Sequence, residues 1–371
     1  MAIDIANEPT FPNMTYTHLV YTVTSSLSDQ PQYQYVMDVI QDSVVQTRIK
    51  QYPNPNASGI FDPSRILNDY IEYDENWKVT AAQTAVASVQ DFTIAFGEEY
   101  GTSISSSVTL YDGLGVAGPP AVTGSAVQVF AGVVDPNNGI SYNWQKAAMG
   151  LTNTPTSDVY IAYDDYHTMT FYNDGSMNTV NVNFNPGNAN NFNLPIGFTS
   201  IPIGGYNTGE TANWTEIVVT AGSKVWTFKN AEDCNYERVR FAFINKFGFW
   251  DYYGVNLPVK KSTTMTKSQL TRPFVNYSSQ TSVYDVSRRG RDYYNIQYND
   301  SFSVSTDWLD QDKATWVGEL MESPNVFVQQ GTDFVPVIIT NGTYVHNTNK
   351  RSQKTFQYEI TYQYANTRLG R

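Results

Sequence analysis

The chain has 371 residues, of which 14% are aromatic and only 16% are charged, and its formal net charge is −12. The single cysteine, Cys234, excludes an intrachain disulfide and a cysteine-based zinc site. Charged residues fall below the ~25% usual in globular domains, and aromatic residues favour strands over helices. Composition and length together predict an all-β, multidomain protein.

The charge is distributed unevenly along the chain. Residues 1–250 hold ten Lys and Arg against 24 Asp and Glu, whereas residues 251–371 hold thirteen against eleven. An acidic body with a neutral-to-basic end suits head-to-tail packing of identical subunits, because unlike ends meet. The net negative charge argues against general nucleic-acid binding.

Residues 1–120 are predicted to form an N-terminal β-sandwich-like domain. Strands are expected at 16–23, 34–40 and 44–49, then a loop at 52–59, and strands again within 84–111. A short helix is predicted near 62–72, with Asp62 as N-cap and Pro63 in the first turn. The Gly- and Pro-rich stretch 112–124 is predicted to be a long loop or linker.

Residues 121–258 are predicted to form a middle β domain. We expect a strand at 127–134, a hairpin from 159–163 and 168–172, and an exposed strand at 179–184 inside an Asn-rich tract. Strands are also expected at 217–220 and 225–228. In 239–253 two strands flank an Asn-Lys-Phe-Gly turn. Gly248 in that turn and Trp250 after it are predicted structural residues.

Residues 259–371 are predicted to form a C-terminal β domain with one helix. The helix is expected near 306–322, capped by Ser305 or Asp310, with Trp316 packed on the sheet. Strands are predicted at 326–328, 335–339 and 356–364; the last alternates without a break.

A basic segment opens this C-terminal part. Seven Lys and Arg residues between 260 and 291 predict a solvated loop or the rim of an interface, because interleaved Tyr and Arg are typical of protein interfaces. A patch for nucleic acid or an anionic glycan is the alternative, since the tyrosines could stack on a ligand. The interface candidates are Tyr284, Arg288, Arg289, Arg291, Tyr293 and Tyr294.

No constellation with catalytic spacing is present, so we predict no catalytic residues, no metal site and no cofactor. The three histidines, His18, His167 and His346, are far apart in sequence. The carboxylate pairs Glu98–Glu99 and Asp164–Asp165 are adjacent, and neighbours on a strand point to opposite faces. A glycosidase with two convergent carboxylates stays open as a less favoured alternative.

The N-terminus lacks the apolar run of a signal peptide, and no apolar stretch approaches the ~18 residues of a membrane span. These observations predict a protein that is made in the cytosol and stays soluble.

Several stretches resemble virion structural proteins of tailed bacteriophages, especially marine ones. They are Gly59-Ile-Phe-Asp-Pro-Ser-Arg-Ile-Leu67, Phe96-Gly-Glu-Glu-Tyr100, Leu151-Thr-Asn-Thr-Pro155, Arg240 to Gly248 with Trp250-Asp251, and Trp316 to Val328. The resemblance implies a non-enzymatic virion part made in the host cytoplasm. We expect a place in the tail, baseplate or neck, a symmetric homo-oligomeric ring, and other virion proteins as partners. A receptor- or glycan-binding adhesin on the host surface is the alternative.

Overall fold

The structure is a computed structural model, and it confirms the all-β prediction. It describes residues 3–9, 13–15, 17–71, 81–84, 89–101, 122–130, 149–156, 159–176, 178–209, 214–231, 236–271, 275–277, 282–284, 290–341 and 355–366. Most of them lie in strands, with a few helices among the sheets. Cys234 and residues 112–121 of the predicted loop 112–124 fall outside the described residues, and 122–124 belong to a strand rather than to a loop.

The chain divides into two compact units. The N-terminal unit comprises Met1–Asn230 and Ile244–Asp251, and the C-terminal unit comprises Ala231–Phe243 and Tyr252–Arg371. The predicted division into three domains, with boundaries at 120 and 258, stays a prediction.

The first part of the N-terminal unit contains two sheets. Its strands are β1 (Ile3–Asn7), β2 (Asn13–Met14), β3 (Tyr21–Ser25), β4 (Gln34–Gln41), β5 (Val44–Gln51), β6 (Ser58–Phe61), β7 (Val89–Glu99) and β8 (Val122–Phe130). One sheet has the order β1-β3-β6 and the other the order β2-β8-β7-β4-β5. All pairs are antiparallel except β2 with β8.

These two sheets share one hydrophobic core. The ring of Tyr21 on β3 lies 5.4 Å from that of Phe96 on β7, and Phe61 on β6 lies 5.7 Å from the same ring. Phe92 and Ile94 of β7 are buried in the same cluster. Apolar inner faces of two sheets packed together are the arrangement of a β-sandwich.

The first helix is shorter than predicted. Helix α1 spans Ser64–Asp69, with Pro63 rather than Asp62 at the N-cap position. The Asp62 carboxylate still accepts the backbone N–H of Ser64 at 3.1 Å, so the sequence signal marked the right place. Phe61, just before this segment, ends strand β6.

The second part of the N-terminal unit also contains two sheets. Its strands are β9 (Met149–Gly150), β10 (Val159–Ile161), β11 (Thr168–Asn173), β12 (Thr179–Asn185), β13 (Ala189–Asn193), β14 (Gly197–Pro202), β15 (Glu216–Ala221) and β16 (Lys224–Asn230); helix α2 is Gly205–Thr208. The sheet orders are β10-β16-β15-β12-β13 and β14-β11-β9. Phe171 on β11 and Trp226 on β16 join them edge to face, with ring centroids 5.9 Å apart.

Two sequence predictions are wrong in this part. Strands β10 and β11 do not form a hairpin, because β10 pairs parallel with β16 and β11 pairs antiparallel with β14. Strand β12 is not an exposed strand but lies between β13 and β15. Its alternate residues Val180, Val182 and Phe184 are fully buried, so the Asn residues between them occupy only its other face.

The C-terminal unit is built on a seven-stranded sheet. Its elements are β17 (Val239–Ile244), β18 (Trp250–Val255), β19 (Val259–Thr271), β20 (Val275–Tyr277), β21 (Ser282–Tyr284), β22 (Arg291–Ser305), α3 (Gln311–Glu322), β23 (Val326–Gln330), β24 (Asp333–Ile339) and β25 (Glu359–Tyr364). The sheet order is β18-β17-β23-β24-β25-β22-β19, and β20 pairs with β21 separately.

Helix α3 packs on this sheet. The Asp310 carboxylate accepts the Lys313 N–H at 2.9 Å, which identifies Asp310 rather than Ser305 as the cap. The buried Trp316 ring lies 6.3 Å from that of Phe243 and 5.4 Å from that of Tyr253. The terminal strand starts at Glu359, later than predicted, because Phe356 pairs only in an isolated bridge with Leu309.

None of the helices in the described part of the chain combines the length and apolar character needed to cross a membrane.

Candidate functional site

The most unusual feature of the C-terminal unit is a long antiparallel ribbon, which we call the arm. Strands β19 and β22 pair from Val259 with Val304 to Thr271 with Arg291. A third strand, β25, pairs with β22 only over Ser301–Ser305. Among the described residues, the nine pairs from Thr263–Asp300 outward therefore have no further strand beside them. At ~3.4 Å per residue they run for ~30 Å.

A β-bulge divides the arm. The register shifts after Lys267, leaving Asn295 without a partner, and Asn295 adopts a left-handed φ of +49°. Asparagine tolerates this conformation better than most residues. Because side chains alternate along a strand, the extra residue places Tyr293 and Arg291 on the face of Ile296. If Asn295 were instead paired with Ser268 in a regular ladder, that face would carry Tyr294 and Asp292.

The two faces of the arm differ in chemistry. One, the aromatic–basic face, carries Lys261, Met265, Lys267, Arg291, Tyr293, Ile296, Tyr298 and Phe302, together with the polar residues Thr263, Gln269 and Thr271 and the acidic Asp300. The opposite hydroxyl face carries Ser262, Thr264, Thr266, Ser268, Gln297, Asn299 and Ser301, and ends in Leu270 and Tyr294.

Ring contacts support this assignment of faces. Lys261 Nζ lies 5.3 Å from the centre of the Phe302 ring, and Lys267 Nζ lies 5.5 Å from that of Tyr293. Both are cation–π distances, so each lysine shares a face with its ring. Lys261 Nζ also lies 3.1 Å from Asp300 Oδ2, a surface pair of small energetic value.

The arm contains three of the predicted interface residues, Arg291, Tyr293 and Tyr294. Tyr293 and Tyr294 are 56% and 55% exposed and lie on opposite faces, and Arg291 is exposed at the end of β22. Tyr284 ends strand β21. Arg288 and Arg289 lie outside the described residues.

The prediction of a loop for the basic segment 260–291 is wrong for 260–271, which lie in β19, and for Arg291, which begins β22. Strand β19 is exposed along nearly its whole length. A period-2 hydrophobic pattern arises only where one face is buried, so this strand left no such signal. The only available signal was its β-branched and hydroxyl content, with four Thr and no Gly or Pro in 259–271.

The first acidic pair considered for catalysis, Glu98 and Glu99, makes hydrogen bonds and an ion pair within the N-terminal unit. Glu98 Oε2 accepts hydrogen bonds from Ser25 Oγ at 2.6 Å and from the Tyr33 hydroxyl at 2.8 Å. Burial raises the pKa of Tyr33, which keeps it a donor. Glu99 accepts from Lys50 Nζ at 2.7 and 2.6 Å, so the two carboxylates point to opposite faces.

The second acidic pair and the histidines also do not converge. Asp165 is buried and accepts the Ala162 N–H at 2.8 Å, whereas Asp164 is exposed. His18 Nδ1 lies 2.5 Å from Asp62 Oδ2, and the buried His167 ring packs 5.2 Å from Phe228. His346 lies outside the described residues. Within the described ranges, no three His, Cys, Asp or Glu side chains could hold a metal ion together.

The predicted structural residues occupy defined positions. Gly248 adopts a left-handed φ of +85°, and its N–H donates to the Asn245 carbonyl at 2.9 Å. Trp250 begins strand β18 and is half-buried, and Trp316 is 1% exposed.

No protein-family model matches this chain, and no curated protein matches it.

Proposed function

We propose that this protein is a non-enzymatic structural component of a tailed-phage virion, in the tail, baseplate or neck. It assembles with copies of itself into a symmetric ring and contacts other virion proteins. The proposal rests on the resemblance of several sequence stretches to such proteins and on the arm of the C-terminal unit. A role in assembly would explain why the arm extends beyond the sheet of the C-terminal unit.

The arm is the observation that carries the proposal. Two-stranded ribbons are marginally stable in water, because they bury little apolar surface. Here the outer arm leaves Met265 53% exposed and Tyr293 and Tyr294 more than half exposed. A partner that covers these side chains would supply the missing burial. An assembly protein has such a partner in its neighbour.

Mass photometry and analytical ultracentrifugation of the purified chain over a concentration series test the proposal. We expect one discrete oligomer of cyclic symmetry, formed by repeated use of a single heterologous interface. A protein that stays monomeric through tens of micromolar would contradict the ring. A stable trimer that binds host cells or their glycans would instead favour the adhesin.

A discrete ring would then be sought by electron microscopy of phage particles. Antibody labelling would report whether the chain lies in the tail, baseplate or neck. Labelling confined to the head would overturn the assigned location.

A further inference from the structure

The aromatic–basic face of the arm is one of two complementary surfaces on this chain. It presents Met265 and Tyr293 to solvent, with Lys267 beside the tyrosine ring and Arg291 at the outer end. Tyrosine, methionine and arginine are enriched in protein interfaces, whereas lysine is depleted. Its basic side chains, Lys267 and Arg291, favour an acidic partner. Its exposed Met265 and Tyr293 favour an aromatic side chain as the anchor of that partner.

The second surface is an exposed tryptophan in an acidic setting, which we call the acidic knob. It consists of Asp307, Trp308, Asp310 and Asp312 at the start of α3. All four are exposed, and Trp308 is 67% exposed although tryptophan is among the residues most buried on average. Exposed tryptophans surrounded by a polar rim are typical anchors of protein interfaces.

The backbone holds Trp308 in place. On one side, the Thr306 N–H donates to the Tyr358 carbonyl at 2.7 Å. On the other, Leu309 and Phe356 exchange two backbone hydrogen bonds of 2.7 and 2.8 Å. Leu309 itself is buried, so the chain is fixed on both sides of an outward-pointing indole. A fixed anchor loses little entropy on binding.

The charges of the two surfaces are opposite. The aromatic–basic face carries Lys261, Lys267 and Arg291 against Asp300, a formal charge of +2. Within 306–312 there are three aspartates and no basic residue. Opposite potentials steer association and set the orientation of the partners.

The outer part of the aromatic–basic face cannot reach the acidic knob of its own copy. Tyr293 precedes Ser305, the last residue of β22, by twelve residues, which is ~40 Å along a strand. Trp308 follows Ser305 by three residues and lies at most ~11 Å from it. The outer arm is therefore out of reach of the knob on its own chain. It is open to the knob of another copy.

We propose that the aromatic–basic face of the arm binds the acidic knob of a second copy of this chain, forming a head-to-tail interface. This inference rests on the proposed function in one respect, that the arm is an assembly contact. Each copy then offers one arm and one knob. Repeating such a heterologous contact closes a ring or extends a filament.

The size of the arm sets the expected strength of this contact. One face of a ribbon ~30 Å long and two strands wide covers ~300 Å², well below the ~800 Å² that each partner contributes to a standard interface. A single contact of this size is weak, and ring closure strengthens it because each added contact is intramolecular. Measurements must therefore reach tens of micromolar.

The test uses two full-length variants, each with one altered surface. Lys267→Glu reverses a charge on the arm face, and Trp308→Ala removes the anchor of the knob. Each alone should weaken self-association on the order of tenfold or more in sedimentation equilibrium. In an equimolar mixture, the intact arm of Trp308→Ala can bind the intact knob of Lys267→Glu, which gives a one-to-one dimer. This dimer should grow no further, because its remaining arm and its remaining knob are both altered.

Matched variants control for charge and for loss of an aromatic ring. Lys260→Glu makes the same charge reversal on the hydroxyl face, since Lys260 pairs with Ser303. Tyr52→Ala removes an equally exposed ring from the N-terminal unit. Both should assemble as wild type.

The outcomes separate this inference from the proposed function. If wild type forms an oligomer that Lys267→Glu and Trp308→Ala both preserve, the ring stands and this interface is wrong. If Lys267→Glu dissociates it and Trp308→Ala does not, the arm docks on another surface, which also overturns the inference. A wild-type chain that is monomeric at every concentration overturns both proposals. Thermal unfolding of each variant confirms that it is folded.

Discussion

At the scale of single residues, Trp316 is the side chain of the C-terminal unit whose removal we expect to lower the free energy of unfolding most. Its ring is fully buried between Phe243 and Tyr253. Replacing it with alanine removes this contact and leaves a cavity that the sheet cannot close. We predict that Trp316→Ala lowers the free energy of unfolding by about 3–5 kcal/mol, measured by urea denaturation.

Trp308 provides the matched control for that prediction. The same substitution at this exposed tryptophan removes almost no buried surface, so Trp308→Ala should change the unfolding free energy by less than about 0.5 kcal/mol in the monomer. Equal effects at the two positions would show that α3 does not pack on the sheet through Trp316.

Single residues also show which features could be predicted from the sequence. The turn that contains Gly248 was predictable, because its signal lies within a few neighbouring residues. The environment of Glu98 was not. Its partners Ser25 and Tyr33 lie 73 and 65 residues away, and only the pairing of β4 with β7 brings this region together. Local patterns do not report such long-range contacts.

At the scale of elements, the carboxyl of Asp62 lies at the start of helix α1 and accepts the backbone N–H of Ser64. Partial burial of this carboxyl raises its pKa, but hydrogen bonds from His18, Ser64 and Leu19 together outweigh burial, and the net pKa is lowered. A carboxyl with a lowered folded pKa stabilises the protein above its unfolded pKa of ~3.9. That contribution is lost as the pH falls through the folded pKa.

We therefore predict a pH-dependent difference between wild type and Asp62→Asn. Wild type should be more stable at pH 6, and the difference should shrink below pH ~4 and vanish once Asp62 is protonated. Urea denaturation at several pH values measures it. Asp69→Asn, at the exposed other end of α1, controls for the loss of one negative charge. A difference that stays constant from pH 6 to pH 2 would show that the effect of Asp62 is not electrostatic.

Several strands with one buried face were predicted from the sequence, although the partly buried β14 was missed, and the exposed strand β19 was not predicted. Phe92, Ile94 and Phe96 of β7 alternate and are buried as expected. Strand β19 is exposed on both faces, so nothing in its hydrophobicity distinguishes it from a loop. Strand β10 was recognised, but its parallel partner β16 lies 69 residues further on, and proximity in sequence wrongly suggested β11. The alternation of hydrophobic residues identifies a strand but does not show which strand pairs with it.

At the scale of the whole molecule, composition determined the class correctly. Low charge and high aromatic content predicted an all-β protein. Aromatic residues are enriched in strands, whereas the solvent-exposed faces of helices usually carry many charged residues. Composition cannot show where the charge is presented. The basic residues matter because β19 and β22 align several of them along one ribbon, and the bulge at Asn295 decides that Arg291 shares a face with Lys267.

The arm gives the last prediction, since its stability should depend on assembly. Hydrogen exchange of the amides in 263–271 and 291–300 should be fast in dilute protein, because these strands pair only with each other among the described residues. In concentrated, assembled protein the same amides should be protected, because a neighbour covers the arm. Amides of β24 and β25, inside the sheet, should be protected in both samples and serve as the internal reference. Equal exchange of the arm in both samples would mean that assembly leaves it uncovered, and the arm would then project from a ring joined by other surfaces.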